Sequence, residues 1–530
     1  MHLQSDRVVL AACASLAVLG SPALARQALG ADPFAPAQRW SSTASLQDAW
    51  IPQSLAFAAR GELVWHAAAG ANPQLELFDG ASNSTQPAPW FEHARPGVLG
   101  AFSVAAGADE RALYALAQYP GPSANARWTE ISRYDAHSAT PHVPVWSRLL
   151  PLAGNGVARL HAARTSAVLA AANYDQASQR FELTWIDAAD GGTLDQYAVV
   201  AATLRQTSAS RELERVAFVV GAEVHVVARA SGLEHVETLG GATNALALSG
   251  DGLRVAMGSG GAVRVLARSG SAWSAVREFT SLPGEIATRV ALSDDGRTLA
   301  IGWWDSVVTQ RVRFQLWRTD ELSPRYEREL HSSATALQNF PEAVAVTADG
   351  RRAAFGAWGT QDSAPEALLV DAASGAELFA LDLPGSVRSL ALDASGTRLA
   401  LGYKLAHANA LSSTGEVASF DTGERDLQRL APARAGDLHV AARRAGALRA
   451  YFVHGPLASN ATPFGTASGG LWIERKLAKV SARRTDATGR ADFVLAPGPG
   501  GWMPNFAVQA YFRGGGSPAF SKSVVVPPQH

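Results

Sequence analysis

Between residues 244 and 402 the chain repeats one pattern of apolar and polar positions four times without a gap. The copies are Asn244-ALALSGDGLRVAM-Gly258, Arg289-VALSDDGRTLAI-Gly302, Ala343-VAVTADGRRAAF-Gly356 and Ser389-LALDASGTRLAL-Gly402. Apolar residues alternate, a polar turn with a glycine follows, and alternation resumes. Period-two patterning on both sides of an Asp-Gly or Ser-Gly turn predicts a β-hairpin. The turn glycines Gly252, Gly296, Gly350 and Gly396 are 44, 54 and 46 residues apart. Each is expected to hold a positive φ, which glycine adopts without a Cβ clash. Two more columns align: Ala256, Ala300, Ala354 and Ala400, then Gly258, Gly302, Gly356 and Gly402. A small residue at one fixed strand position predicts close approach of a neighbouring sheet.

Weaker hairpins precede these, centred near Gly61, Gly107, Thr165 and Ser210. A third strand often follows and ends in Asp, as at Asp79, Asp135, Asp187, Asp371 and Asp421. An Asp there can accept a bond from the backbone two residues on. A short fourth strand completes each unit, for example PVWSRLL or LEHVETL. Four strands per roughly 45 residues is the period of a propeller blade. The predicted fold is therefore all-β: a β-propeller over residues 46–432, with eight four-stranded blades and seven as the alternative count. Residues 436–530 lack the blade motif and read as six or seven strands of a small β-sandwich. The segment 26–45, rich in Pro and Ser, is either a linker or a strand that closes the propeller.

The hairpins LSDDGRTLAIG, VTADGRRAAFG and LDASGTRLALG resemble those of WD-type propellers and the related bacterial "SPDG" propellers. The Gly-His and Trp-Asp signature pairs of the true WD repeat are missing. The resemblance implies the propeller fold. Members of this broad group serve as binding platforms, hydrolases or quinone-dependent dehydrogenases, so fold alone does not select a function. The end of the chain is similar to C-terminal modules of large secreted bacterial proteins.

Composition narrows the function. Lys and Arg total 46 against 47 Asp and Glu among 530 residues. That balance argues against nucleic acid as a partner, because phosphate neutralisation needs a basic surface. A single cysteine, Cys13, excludes a disulfide framework and a thiolate metal site. The chain opens with Arg7, an apolar run from Val8 to Gly20, and then Ala23-Leu24-Ala25. This is the pattern of a secretory signal peptide, residues 1–25, cleaved after Ala25. Secretion or a periplasmic location is expected. Leu10-Ala11-Ala12-Cys13 also matches a lipobox, but the apolar run continues beyond Cys13, which disfavours lipidation there. No other stretch is apolar enough to cross a membrane as a helix.

Catalytic motifs are missing. The sequence has no Gly-x-Ser-x-Gly elbow, no Ser-x-x-Lys and no phosphate-binding loop with Lys. His137 and His142 share one loop without a third ligand, and DAADGG at Asp187–Gly192 lacks the alternating oxygens of a calcium loop. Neither a cofactor nor a metal is expected, and no catalytic residue is named. One constellation remains. The loops after the second strands are the longest and open on one face, and they follow the aligned glycines 302, 356 and 402. They would bring Trp303, Trp304, Asp305, Trp358, Asp362, Lys404 and His407 onto one rim. Aromatic faces beside carboxylates and amides suit a glycan or a peptide. The expected function is a secreted propeller that binds a carbohydrate or protein partner there; the alternative is a secreted hydrolase or lyase working in the central funnel.

Overall fold

The computed structural model of the protein describes residues 37–43 and 51–422, short connecting segments apart, and eight strands between 427 and 525. Residues 1–25, with Cys13, and Asp362 lie outside the described residues. Every element described is a β-strand, as the period-two patterning requires.

The strands pair antiparallel in chain order, four to a sheet. Blade 1 runs from Ile51–Phe57 to Phe91–Ala94, blade 2 from Phe102–Ala106 to Trp146–Ala153, and blade 3 from Arg159–Ala162 to Thr193–Val200. Blade 4 runs from Leu204–Ala209 to Gly232–Thr238 and blade 5 from Thr243–Leu248 to Ala272–Thr280. Blade 6 runs from Glu285–Leu292 to Tyr326–His331, and blade 7 from Pro341–Val346 to Glu377–Leu381. Blade 8 takes three strands, from Val387–Leu392 to Gly415–Asp421, and borrows its fourth from the other end of the chain. That strand, Ala37–Thr43, lies antiparallel to Gly415–Asp421 and accepts the Val417 N–H on Ser42 Oγ at 3.1 Å. The first strand of blade 1 packs against those of blades 2 and 8 alike, so the ring closes with eight blades.

The repeated turns show what their residues are for. Gly252, Gly296, Gly350 and Gly396 have φ of 69, 63, 71 and 67°. In blade 6, Ser293 Oγ accepts the Thr298 N–H at 3.0 Å and donates to Asp295 at 2.6 Å. Asp295 accepts the Arg297 N–H at 3.0 Å. Ser249 with Asp251, and Thr347 with Asp349, repeat the arrangement. The carboxylates thus shape turns. Blade 4 has no glycine here: Leu213 takes the equivalent place, with φ 55° and its N–H on the Ser210 carbonyl at 3.0 Å. The weak hairpin read as centred on Ser210 therefore has its left-handed residue three positions later. Third-strand aspartates behave as the sequence suggested, Asp135 and Asp187 accepting the His137 and Ala189 N–H groups at 2.9 and 2.8 Å.

The turns of successive blades are laced by backbone bonds. Asp251 N–H reaches the Asp294 carbonyl, and Asp294 N–H the Ala348 carbonyl, each at 2.9 Å. The second glycine column answers to packing. A Cβ on Gly258, Gly302 or Gly356 would sit 2.7 Å from Ala287, 2.8 Å from Pro341 or 2.6 Å from Val387. Each contact belongs to the inner strand of the next blade. The aligned alanines are wholly buried for the same reason.

After blade 8 the strands form two further antiparallel sheets, of three and five strands, and Phe452 of one stacks on Phe493 of the other at 4.9 Å.

Candidate functional site

The first strands of the blades line a central channel, and each end of it presents different chemistry. At the hairpin-turn end the wall is built from all eight blades and encloses about 430 Å³. Ala56, Ala105, Leu160, Leu248, Leu292, Val346 and Leu392 contribute apolar side chains to it, alongside polar groups such as His161 and Ser210. At its mouth Arg211 bonds Asp294 at 2.9 Å, with Arg164 at 3.6 Å from the same oxygen.

At the opposite end most inner strands carry a β-bulge just before their regular pairing begins. It falls between Ala287 and Arg289, between Pro341 and Ala343, and between Val387 and Ser389. The extra residues are Thr288, Glu342 and Arg388. A bulge frees one residue from the ladder and re-aims its side chain. Glu342 uses that freedom as a hub. It accepts Trp358 Nε1–H at 2.7 Å, and Arg289 and Arg388 approach its carboxylate at 3.5 and 3.8 Å. The Arg289 Nε–H also reaches the Glu342 carbonyl at 2.6 Å.

Across the same mouth runs a row of rings from three blades. Trp304 meets Phe340 edge-on at 5.5 Å, Phe340 meets Trp358 at 5.2 Å, and Trp358 meets the His407 imidazole at 6.2 Å and 89°. Arg289 lies over Phe340, 5.6 Å from its centroid. Trp304, Phe340 and Trp358 are half-buried, so part of each ring meets solvent.

The residues expected on the rim therefore have unequal standing. The second strand of blade 6 runs on to Asp305, which pairs with Glu285, so Trp303, Trp304 and Asp305 are strand residues and the loop begins after them. Trp303 is wholly buried among blade 5 and 6 residues, and its indole donates to Gln315 Oε1 at 2.8 Å. Asp305 is buried and organises the following loop. It accepts the Val307 and Val308 N–H groups, each at 2.8 Å, and pairs with Arg311. Burial acts to raise its pKa, but these bonds outweigh it and hold the carboxyl below its usual range. Lys404 ends a strand and is also buried. Its ammonium donates to the Ala408 and Ala410 carbonyls at 3.1 and 2.7 Å, closing its own loop. Burial, and secondarily Arg388, lower its pKa. His407 is buried too. Its Nδ1 accepts the Asn409 N–H at 3.2 Å, so the proton is assigned to Nε2, which donates to the Gln338 carbonyl at 2.8 Å.

Four of the seven residues thus spend their polar atoms inside the protein. Trp304 and Trp358 remain at the surface, and Asp362 is outside the described residues. Phe340, Glu342, Arg289 and Arg388 were missed. Glu342 and Arg388 had a faint signal: a polar residue eight positions before the turn glycine, where bulges sit at Thr288, Glu342 and Arg388. No group of three or more His, Cys, Asp or Glu suited to a metal occurs among the described residues. No described helix is long and apolar enough to cross a membrane.

No family model matches the sequence, and no curated protein does either. Among solved structures the chain is similar to the Cps50 (Swd1) β-propeller domain of Myceliophteria thermophila. Identity is 12%, covering 73% of this chain and 99% of that one, with a TM-score of 0.41. The blade count above rests on the strand pairings themselves.

Proposed function

We propose that the protein is an exported β-propeller that binds a carbohydrate or peptide partner at the bulged end of its channel, on blades 6 to 8. The observation that carries this reading is the row Trp304–Phe340–Trp358, half-buried rings joined across three blades beside Glu342, Arg289 and Arg388. Flat faces flanked by charged groups can stack on a sugar ring or an aromatic side chain while fixing its polar edge. Trp303, Asp305, Lys404 and His407 support this surface from behind.

A glycan and peptide array probed with the purified protein tests the reading. Trp304→Ala and Trp358→Ala should each weaken a positive signal, a buried aromatic anchor being worth about 2 kcal/mol or more. Unchanged binding by both folded variants defeats the assignment. Export rests on residues 1–25 and is tested by the intact mass of the exported chain. Arg26 at the N-terminus is expected, and a diacylglycerol on Cys13 would overturn it.

A further inference from the structure

The hairpin-turn end of the channel holds a chamber that the rim reading does not use. Its volume of about 430 Å³ falls within the ~300–1,000 Å³ of small-molecule sites. Arg164, Arg211 and Asp294 stand at its mouth, carried by the hairpin turns of blades 3, 4 and 6. Backbone bonds fix those turns against each other. The Arg164 N–H donates to the Arg211 carbonyl at 3.1 Å, and the Arg211 N–H to the Gly250 carbonyl at 2.8 Å. Asp294 lies so close over Gly250 that a Cβ there would collide with its carboxylate. Arg211 Nη1 bonds Asp294 Oδ2 at 2.9 Å, and Arg164 Nη1 approaches the same oxygen at 3.6 Å. Glu212, 3.7 Å from Arg211 Nε, accepts the Thr165 N–H at 3.2 Å. Arg211 thus neutralises Asp294, while the Arg164 side chain makes no hydrogen bond among the described residues and keeps its planar fork open.

Below the mouth the walls are the inner strands of the blades. Each is the end strand of its sheet, so one edge carries N–H and C=O groups outside any ladder. Where the protein satisfies such an N–H from the blade before, it uses a hydroxyl. Ser54 accepts the Val104 N–H at 3.1 Å, and Ser208 the Leu248 N–H at 2.8 Å. Between these edges stand side chains such as Ala56, Leu292 and Leu392, which suit the C–H groups of a polyol. His161 also lines the wall, its Nε2 2.9 Å from Thr207 Oγ1. Burial, and then Arg159, lower its pKa to about 4, so at pH 7 it adds no charge to the guanidinium groups at the mouth.

We propose that the chamber binds a small hydroxy acid, its carboxylate in the fork of Arg164 beside Arg211 and its hydroxyls on the open edges of the inner strands. A guanidinium fork suits a carboxylate because two parallel N–H groups match two oxygens. The site stands without the rim reading, since none of its residues belongs to the aromatic row or to the Glu342 hub.

Titration calorimetry and thermal melting of the purified protein with three matched probes test the proposal. Gluconate carries both kinds of group, sorbitol the hydroxyls alone and hexanoate the carboxylate alone. Gluconate should bind saturably and raise the melting temperature. Each of the other two should bind roughly tenfold more weakly or worse, having lost either the charge-assisted bonds or the wall bonds. Arg164→Gln should bring gluconate down to the level of sorbitol, with Arg164→Lys between, since an ammonium keeps the charge without the fork. The Arg164 side chain is 45% exposed, so both variants should melt with the parent in the absence of ligand. Trp358→Ala should leave gluconate binding unchanged, and loss of binding there would overturn the placement. Absence of saturable gluconate binding would overturn the proposal. So would parent-like binding by folded Arg164→Gln, or sorbitol or hexanoate binding as tightly as gluconate.

Discussion

Three glycine-to-alanine substitutions separate the two reasons the repeats need glycine. Gly270 has φ +62° and nothing within 4 Å of an added Cβ, so Gly270→Ala adds only backbone strain. The left-handed conformation costs an L-residue about 1–2 kcal/mol. Gly302 has ordinary strand geometry, but its new methyl would stand 2.8 Å from the Cβ of Pro341. Overpacking of this kind costs about 1–3 kcal/mol, offset by about 0.4–1 kcal/mol from a stiffer unfolded chain. Gly350 carries both terms: φ is +71°, and a Cβ would meet Thr298 Oγ1 at 2.5 Å and Ser293 Cβ at 3.2 Å. Displacing Thr298 also disturbs its hydroxyl bond to the Gly350 carbonyl at 3.2 Å, worth about 1 kcal/mol. Gly350→Ala should therefore cost about 3–5 kcal/mol, more than either of the others. Guanidinium denaturation followed by tryptophan fluorescence reads this as a shift of midpoint at unchanged slope. A Gly350→Ala midpoint no lower than that of Gly270→Ala would refute the account of the turn as a contact between blades.

Leu213→Gly should relieve about 1–2 kcal/mol of left-handed strain yet lose a buried leucine worth about 2–5 kcal/mol, so the variant should be less stable by the same denaturation assay. His161 is held neutral down to about pH 4, by burial and then by Arg159, against an ordinary value of 6.5. Between those values the unfolded chain binds the extra proton, so stability falls on acidification by up to ~1.4 kcal/mol per pH unit. His161→Gln should flatten that acid limb in urea titrations at pH 7, 5.5 and 4.5, and parallel curves would count against it. Glu285 and Arg313 form a buried pair, with Arg313 Nε–H 2.9 Å from Glu285 Oε1. Glu285→Gln should cost about 1.5–3 kcal/mol, because it removes the buried charge that the guanidinium bonds while leaving only Glu327 to balance it. Glu327→Gln, at a half-exposed partner of the same arginine, should cost under about 1 kcal/mol in the same melts.

The repeat is legible in the chain because its cause is local. Alternation, the turn Asp and the left-handed glycine are each decided by a few neighbouring residues, so four copies in register identify the hairpins of blades 5 to 8 before any coordinates. The glycines at 258, 302 and 356 were legible as a column, and their packing reason could be inferred because only contact between blades makes a strand position uniformly small. Leu213 was not legible: a leucine in a left-handed turn contradicts local preference, and packing of its side chain overrides that preference. The rim divides along the same line. Sequence spacing placed Trp303, Trp304, Asp305, Lys404 and His407 at one height, since equivalent strands end together. Which of them face solvent depended on how far each strand ran and on what the next blade brought against it. The Glu342 hub lay beyond the sequence altogether. It joins a bulge in blade 7 to arginines of blades 6 and 8. Closure of the ring brings together residues whose separation in the chain carries no sign of their meeting. Local chemistry wrote the blades, whereas the channel and its charges exist only once Ala37–Thr43 has closed the circle on blade 8.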